Sequence, residues 1–185
     1  MLEIRWHSRA GQGAVTGAKG LADVISTTGK HVQAFAFYGS AKRGAAMTAY
    51  NRVDDKVIMN HEKYMEPDYV LVIDPALVYT TDITANAKES TKYIITTHMS
   101  TEELVASQPK LEGKEVHTVD CIKIAQETIG RAIPNTPMLG ALMKISKMYE
   151  IDFFKGAIVN ALSKLPQKII DANMIAIQRA YDEVK

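Results

Sequence analysis

The stretch RWHSRAGQGAVTG (residues 5–17) has the residue types of a phosphate-binding turn between a strand and a helix. Glycine permits a tight turn, and a helix that begins directly after the turn presents free N–H groups to an anion. A dinucleotide-binding turn follows the pattern GxGxxG, but Thr16 occupies the third glycine position after Gly11 and Gly13. The turn therefore gives only weak support for NAD or FAD binding.

Two further features of the sequence weigh against nucleotide binding. VQAFAFYGSAKRG (residues 32–44) lacks, at the end of its strand, the acidic residue that would bind a ribose hydroxyl, and no GxxxxGK[ST] pattern occurs. Two interpretations stay open for the glycine turn. It serves the fold alone, as a tight strand-to-helix connection, or its backbone contacts a ligand that is shared with another chain.

A row of cationic side chains precedes the glycine turn. Arg5, His7 and Arg9 alternate along a predicted strand, so they lie on one of its faces. Such a row is typical of a contact with an anionic ligand or an acidic partner, and equally of a sheet face that is exposed to solvent.

The sequence offers no recognisable catalytic constellation. There is no GxSxG motif, and Cys121, at the predicted start of a helix, is interpreted as a small half-buried apolar residue rather than a nucleophile. The other histidines have no carboxylate or cysteine at metal-ligand spacing. We therefore predict no catalytic residue and no metal site in this chain.

Hydrophobic periodicity predicts the elements that position these residues. Leu2, Ile4 and Trp6 alternate with polar residues as in a strand, and a helical apolar stripe follows up to Gly29. VQAFAFY predicts a second strand, and MTAYNRV and KVIMN predict a hairpin around Asp54 and Asp55.

Three more strands and a helical region are predicted farther along the chain. DYVLVIDP (residues 68–75) has the continuous apolar run of a buried parallel strand that ends at Asp74 and Pro75. KYIITT and EVHTVD predict shorter strands. From Cys121 onward the pattern is helical, with prolines interrupting it at residues 133–137. The predicted fold is α/β: a three-layer, Rossmann-like, mostly parallel sheet with an inserted β-hairpin and a helical C-terminal third.

Composition limits the classes of function. The 185 residues are predicted to form one domain, residues 1–185. The 22 basic and 21 acidic residues nearly balance, so we predict no nucleic acid or membrane partner. One cysteine is too few for an iron–sulfur cluster held by this chain alone. Residues 1–10 lack a signal-peptide pattern and no apolar run is long enough to span a bilayer, so a cytoplasmic protein is expected.

Three stretches occur together in the order and spacing of a known family: IRWHSRAGQGA, FAFYGSAKRGAAMTAYNRV and IPNTPMLGAL. The chain resembles, essentially end to end, the gamma subunit of pyruvate:ferredoxin (flavodoxin) oxidoreductases and of the related 2-ketoisovalerate enzymes. Each stretch alone has little specificity, but the combination is highly specific.

The resemblance implies a subunit that is inactive alone and works in a multi-chain oxidoreductase with alpha, beta and delta subunits. That enzyme converts pyruvate and CoA to acetyl-CoA, CO₂ and a reduced acceptor, either ferredoxin or flavodoxin. Thiamine pyrophosphate, Mg²⁺ and iron–sulfur clusters are expected on partner subunits, with CoA as co-substrate. The absence here of a GDG motif followed by paired asparagines agrees with this division. A 2-ketoisovalerate or other 2-oxoacid enzyme is the alternative.

The same resemblance implies that this subunit packs on the thiamine-binding subunits and helps to form the substrate and CoA region. Its motif positions are the candidates for ligand or partner contact: Gly11, Gln12, Gly13, Tyr38, Gly39, Lys42, Arg43, Gly44, Asn135 and Thr136. An aromatic, two cations and glycines suit an anionic group such as a CoA phosphate. An exposed basic turn and a proline-bounded helix entry are the structural alternatives.

Two other hypotheses stay open at this point. One is a stand-alone nucleotide-binding oxidoreductase, which the incomplete glycine pattern disfavours. The other is a purely structural assembly protein that contacts no ligand, and the sequence does not separate it from the enzyme-subunit hypothesis.

Overall fold

The computed structural model describes residues 1–39, 44–60, 62 and 66–185. The strands in these residues are β1 (Leu2–Arg9), β2 (His31–Tyr38), β3 (Ala46–Asp54), β4 (Tyr69–Val72), β5 (Lys92–Thr96) and β6 (Glu115–Val119). The helices are α1 (Ala14–Ser26), α2 (Leu77–Thr80), α3 (Thr101–Ser107), α4 (Cys121–Thr128), α5 (Asn135–Ser146), α6 (Ile151–Ala161) and α7 (Gln167–Glu183), with a short 3-10 turn at Pro109–Leu111.

These strands form one sheet in the order β2-β3-β1-β4-β5-β6. Strands β1, β4, β5 and β6 are parallel to one another, whereas β3 runs antiparallel to both of its neighbours, β1 and β2. Helices pack on both faces, and the last third of the chain is helical. The predicted fold class, a mostly parallel α/β sheet with a helical C-terminal third, is confirmed.

The position of the predicted hairpin is wrong. β3 spans MTAYNRV as expected, but KVIMN (residues 56–60) forms no strand. The antiparallel pair is instead β2 with β3, where Val32 lies opposite Val53 and Tyr38 opposite Met47. Because β1 and β2 occupy both edges of β3, no edge is left on it for a further strand.

Side-chain hydrogen bonds attach the KVIMN segment to the sheet, in place of the backbone hydrogen bonds that join paired strands. Gln33 donates from Nε2 to the carbonyl of Ile58 (3.1 Å), and the fully buried Arg52 donates from Nη1 to the carbonyl of Asn60 (2.9 Å). The guanidinium of Arg52 also pairs with Glu3, with Nε 3.0 Å from Oε1. The segment is thus fixed by side chains that sequence periodicity does not report.

The alternation in β1 places unlike residues on the two faces of the sheet. Ile4 and Trp6 are fully buried on the face that packs against α1 and the C-terminal helices. The indole of Trp6 donates to Asn51 Oδ1 (2.9 Å), and Asn51 Nδ2 donates to the carbonyl of Ala18 in α1 (2.8 Å). Each buried polar atom named here has a partner, so these bonds fix α1 on the sheet without a desolvation penalty.

Helices α5 and α7 approach each other closely at Gly140 in the C-terminal third. A Cβ atom built on Gly140 of α5 would overlap the carbonyl oxygen of Ile177 in α7 and lie 2.8 Å from its carbonyl carbon. Glycine is therefore required there by packing, because any side chain would force the two helix backbones apart. Among the residues described, none of the helices has the length and apolar character needed to cross a bilayer.

Candidate functional site

The candidate site lies at the carboxyl ends of β1 and β4. These two strands are adjacent and parallel in the sheet. The chain leaves β1 toward the β2 and β3 side, whereas it leaves β4 toward β5 on the other side. Ligands of open α/β sheets bind at such a reversal of direction, because the two departing connections leave a crevice between them.

The glycine turn connects β1 to α1 at this position. Gly11 has φ +94° and Gly13 has φ +88°, values that L side chains rarely adopt, and Gly13 directly precedes α1. The side chain of Gln12 folds back, so that its Oε1 accepts from the backbone N–H of Arg9 (2.7 Å). The predicted strand, glycine turn and helix are therefore present at residues 2–26.

The structure brings two separate candidate segments together, because Asn135 packs on the glycine turn. A Cβ atom on Gly13 would lie 2.7 Å from Asn135 Nδ2, so a side chain at residue 13 would displace Asn135 and would also be strained at φ +88°. Gly17 lies one residue beyond the third glycine position of GxGxxG. A Cβ atom built on Gly17 would lie 3.1 Å from the ring of Trp6, so the absence of a side chain allows α1 to pack against that ring. This glycine serves helix-on-sheet packing.

Asn135 and the neighbouring Thr136 begin helix α5. The amide oxygen of Asn135 accepts from the backbone N–H of Thr136 (2.9 Å) and from its hydroxyl (3.3 Å). Thr136 is buried, whereas Asn135 is partly exposed. Within the described residues, the Asn135 amide nitrogen has no hydrogen-bond partner, and it lies beside Gly13 of the glycine turn.

A carboxylate that the sequence interpretation missed lies at the centre of the site. Asp74 follows β4 and is 7% exposed. Its Oδ2 accepts from Arg9 Nε and from Gln12 Nε2, each at 2.9 Å, and its Oδ1 accepts from the backbone N–H of Ala76 at 2.9 Å. The available signal was an acid at the end of a buried parallel strand, which we interpreted only as a strand terminator.

Arg9 extends this network to the segment that follows β2. Its Nη1 donates to the carbonyl of Gly44 at 2.9 Å. Tyr38 is 67% exposed at the end of β2, and Gly39 is exposed beside it. The two predicted cations, Lys42 and Arg43, lie outside the described residues. The described part of the site therefore includes Gly39 and Gly44, the residues that flank this segment.

The row Arg5, His7 and Arg9 is not an exposed sheet face. Arg5 is 6% exposed and donates to the carbonyls of Ala85 (2.7 Å) and Ile83 (2.8 Å). His7 is 4% exposed, and burial, together with the nearby Arg5 guanidinium, lowers its pKa to about 3. His7 is therefore neutral at physiological pH, and Arg9 alone in this row is partly accessible.

The other candidate reactive groups are inert in this structure. Cys121 is fully buried at the start of α4, more deeply than the half-buried position expected, and burial raises the pKa of its thiol far above the ordinary value. A buried neutral thiol is a poor nucleophile. Within the described part of the chain, no group of three or more His, Cys, Asp or Glu side chains is arranged to hold a metal ion.

Comparison with known proteins identifies the family. The sequence model of a family described as pyruvate ferredoxin/flavodoxin oxidoreductase matches residues 3–183. The chain belongs to this oxidoreductase family. Among relatives of this member, the pyruvate/ketoisovalerate oxidoreductases common subunit gamma of Pyrococcus abyssi is 40% identical over 185 residues, covering 100% of this chain and 98% of the relative. The pyruvate synthase subunit PorC of Thermotoga maritima is 40% identical over 184 residues, covering 99% and 94%.

Solved structures agree with the fold of this oxidoreductase family member. The crystal structure of the pyruvate oxidoreductase subunit PORC from Thermotoga maritima has a TM-score of 0.84 at 38% identity, over 100% of this chain and 97% of that one. A 2-oxoglutarate:ferredoxin oxidoreductase from Magnetococcus marinus has a TM-score of 0.77 at 16% identity, and the match covers 98% of this chain and 30% of that one. The latter similarity concerns the fold. The family resemblance found in the sequence is confirmed.

Proposed function

We propose that this chain is the gamma subunit of a multi-subunit pyruvate:ferredoxin (flavodoxin) oxidoreductase. The enzyme would convert pyruvate and CoA to acetyl-CoA and CO₂ and pass the electrons to ferredoxin or flavodoxin. The observation that carries the proposal is the end-to-end similarity to relatives that are themselves named as gamma or PorC subunits. A 2-ketoisovalerate enzyme is the second candidate, since the Pyrococcus relative is named as a subunit common to both oxidoreductases.

We propose that the cofactors of the complex are held by partner subunits. With one buried cysteine, it cannot supply the four thiolates that an iron–sulfur cluster requires. We assign thiamine pyrophosphate, Mg²⁺ and the clusters to alpha, beta and delta partner subunits, and we assign the assembled enzyme to the cytoplasm. Residues 1–185 would act as one domain without activity of its own.

The contribution of this subunit would be a surface that helps to close the substrate and CoA region. Gly13 meets Asn135 at the carboxyl edge of the sheet, and among the described residues the Asn135 amide nitrogen has no hydrogen-bond partner. Tyr38 is largely exposed at the same edge. An amide donor, an aromatic ring and the cations that the sequence has at residues 42 and 43 suit a ligand with phosphate and amide groups, as in CoA.

Purification from the source cells tests the assembly. A gentle affinity purification of the tagged chain should recover about three other polypeptides together with thiamine and iron. The material should reduce ferredoxin or a dye only when pyruvate and CoA are both present. Comparing pyruvate with 2-ketoisovalerate on the same sample assigns the preferred 2-oxoacid. Recovery of the chain alone, with saturable dinucleotide binding, would refute the proposal.

Point variants of the assembled enzyme separate a ligand contact from a purely structural role. Asn135→Ala and Arg43→Ala should raise the KM for CoA while the purified complex keeps its subunit composition, because each change removes a donor to the ligand. Asn160→Ala is the matched control, since Asn160 is an exposed helical asparagine in α6. An unchanged KM for CoA together with a less stable complex would support the structural role instead.

A further inference from the structure

Strand β2 forms one edge of the six-stranded sheet, and it lacks the features that normally protect a sheet edge. HVQAFAFY (residues 31–38) contains no lysine, arginine, acid or proline, and it pairs with β3 along its whole length without a bulge. Within the described residues, no backbone hydrogen bond reaches residues 32–36 on the side away from β3. An edge strand without charges, prolines or bulges is a template for pairing with another chain, because alternate N–H and C=O groups along it have no partner.

The opposite edge of the sheet, β6, is protected by the chain itself. The backbone N–H of Thr118 donates to the carbonyl of Lys185 (3.2 Å), and the N–H of Lys185 donates to the carbonyl of Thr118 (3.1 Å). β6 also carries a charge at Glu115, whose carboxylate lies 2.8 Å from the ammonium of Lys92. The two edges therefore differ, and only the outer edge of β2 is available for pairing among the strands that the structure describes.

The aromatic side chains of β2 are held in place by contacts within the chain. Phe35 stacks on Tyr50 of β3 with ring centroids 5.1 Å apart, and Phe37 meets each of these two rings edge-on at 5.8 Å. The guanidinium of the buried Arg52 lies 5.4 Å from the centroid of Phe35. Because these side chains are fixed before a partner arrives, little conformational entropy is lost when a partner covers them.

Exposed apolar side chains enlarge the surface around this edge. A groove of about 460 Å³ is lined by residues 33–37 of β2. Tyr38 at the end of the strand is largely exposed, and so are Val57 and Met59 in the KVIMN segment, which a hydrogen bond from β2 holds beside the strand. A partner that pairs with β2 would therefore also cover apolar side chains at the margins of the strand.

We propose that a second copy of this chain pairs with the outer edge of β2, so that two antiparallel β2 strands join the sheets of two protomers around a twofold axis. The alternating donors and acceptors of an edge are satisfied along their length by another extended backbone. A twofold axis perpendicular to the sheet makes the two strands antiparallel and keeps each face of the sheet on its own side. Since side chains alternate with a period of two, the aromatic face of one β2 would continue into the aromatic face of the other.

The lack of charge on β2 favours a second copy as the occupant. Two identical strands bring like residues near each other, so any charge on the strand would face the same charge on its copy and weaken the pair. HVQAFAFY has no acidic side chain, lysine or arginine, and its aromatic residues gain from pairing with aromatic residues across the junction. This inference goes beyond the proposed function, because it concerns the contact of the chain with itself.

The test is light scattering of the purified chain over a range of concentrations. The wild type should form a concentration-dependent dimer. Ala34→Lys places a charge in the middle of the edge, where the copy carries another, and should raise the dimer Kd at least about hundredfold. Ala106→Lys is the matched control, because Ala106 is exposed in α3 and the same change there should leave the Kd unaltered. A wild-type chain that stays monomeric, or equal effects of the two substitutions, would overturn the proposal.

Hydrogen exchange of the wild-type chain decides the case in which Ala34→Lys does not fold. Where the dimer predominates, residues 32–36 should exchange at least about tenfold more slowly than in the diluted monomer, because pairing protects their outward N–H groups. The amides of β6 should exchange at the same rate in both samples. Slower exchange elsewhere, with none in β2, would show that the copies meet through another surface and that the proposal is wrong.

The same exchange measurement on the assembled oxidoreductase identifies a different occupant. If the isolated chain is monomeric and β2 becomes protected only when other subunits bind, a strand of another subunit covers the edge, and pairing with a second copy is refuted. None of these outcomes depends on CoA or on the 2-oxoacid. Failure of this inference therefore leaves the proposed function standing, and the purification assay tests that function separately.

Discussion

Replacing Gly140 with alanine tests the packing of the C-terminal helices directly. The new Cβ would overlap the Ile177 carbonyl oxygen and approach its carbonyl carbon to 2.8 Å, and neither backbone atom can rotate away. Overpacking of this kind costs about 3 kcal/mol, the upper part of the usual range, because α5 and α7 must move apart. Alanine returns about 1 kcal/mol of helix propensity, so the net loss is about 2 kcal/mol.

Gly156→Ala is the matched control for this prediction. Gly156 lies in the interior of α6 and is exposed, and a Cβ built on it has nothing within 4 Å. The same substitution should therefore stabilise the chain by about 1 kcal/mol. For a chain of this size 1 kcal/mol moves the thermal midpoint by about 2 to 4 °C.

Thermal unfolding of the isolated chain, followed by circular dichroism, measures both variants. We expect Gly140→Ala to lower the midpoint by about 4 to 8 °C and Gly156→Ala to raise it by about 2 to 4 °C. Urea denaturation with unchanged m-values would confirm that the native states stay comparable. A midpoint for Gly140→Ala at or above that of wild type would refute the close approach of α5 and α7.

Three further predictions follow from buried polar groups. Glu3→Ala should lower the free energy of unfolding by about 3 kcal/mol, because it leaves the fully buried guanidinium of Arg52 without its carboxylate; a loss below about 1 kcal/mol in urea denaturation would contradict this. Cys121 should resist a thiol reagent in the native state and react fully in denaturant, since burial raises the pKa of its thiol; prompt native-state labelling would show that the site is open. In the folded protein the pKa of His7 is about 3, below its ordinary value of 6.5. Between these two pH values the unfolded state binds more protons than the folded state. The free energy of unfolding therefore falls as the pH drops from about 6.5 to about 3. His7→Phe should flatten that part of the stability curve relative to wild type, and an unaltered slope would mean that His7 is not buried as a neutral group.

The order and type of most elements could be predicted because they depend on local patterns. The alternation of Leu2, Ile4 and Trp6 predicted β1, and the apolar run at residues 68–75 predicted β4. The hairpin prediction rested on the turn signal of Asp54 and Asp55. It failed because the pairing of β3 depends on which strands occupy its edges, and these are β1 and β2. Competition between distant strands leaves no mark in a short window of sequence.

The candidate site was only partly predictable for the same reason. Gly13 and Asn135 were each identified, but not their contact, and Asp74 was noticed only as the end of a strand. The charge pattern of β1 predicted a row of cations. It did not indicate that Arg5 would be buried and would donate to the backbone carbonyls of residues 83 and 85. Hydrogen-bond partners separated by many residues become known only once the chain is folded.

The sequence by itself therefore determined the family, the alternation of strands and helices, and the glycine turn, because residue identity and short-range spacing carry that information. Tertiary structure alone decided the position of β3 between β1 and β2, the neutral buried state of His7, and the linkage of Gln12 and Arg9 through Asp74. Strand pairing, desolvation and hydrogen bonding between distant residues depend on which parts of the chain come together in space.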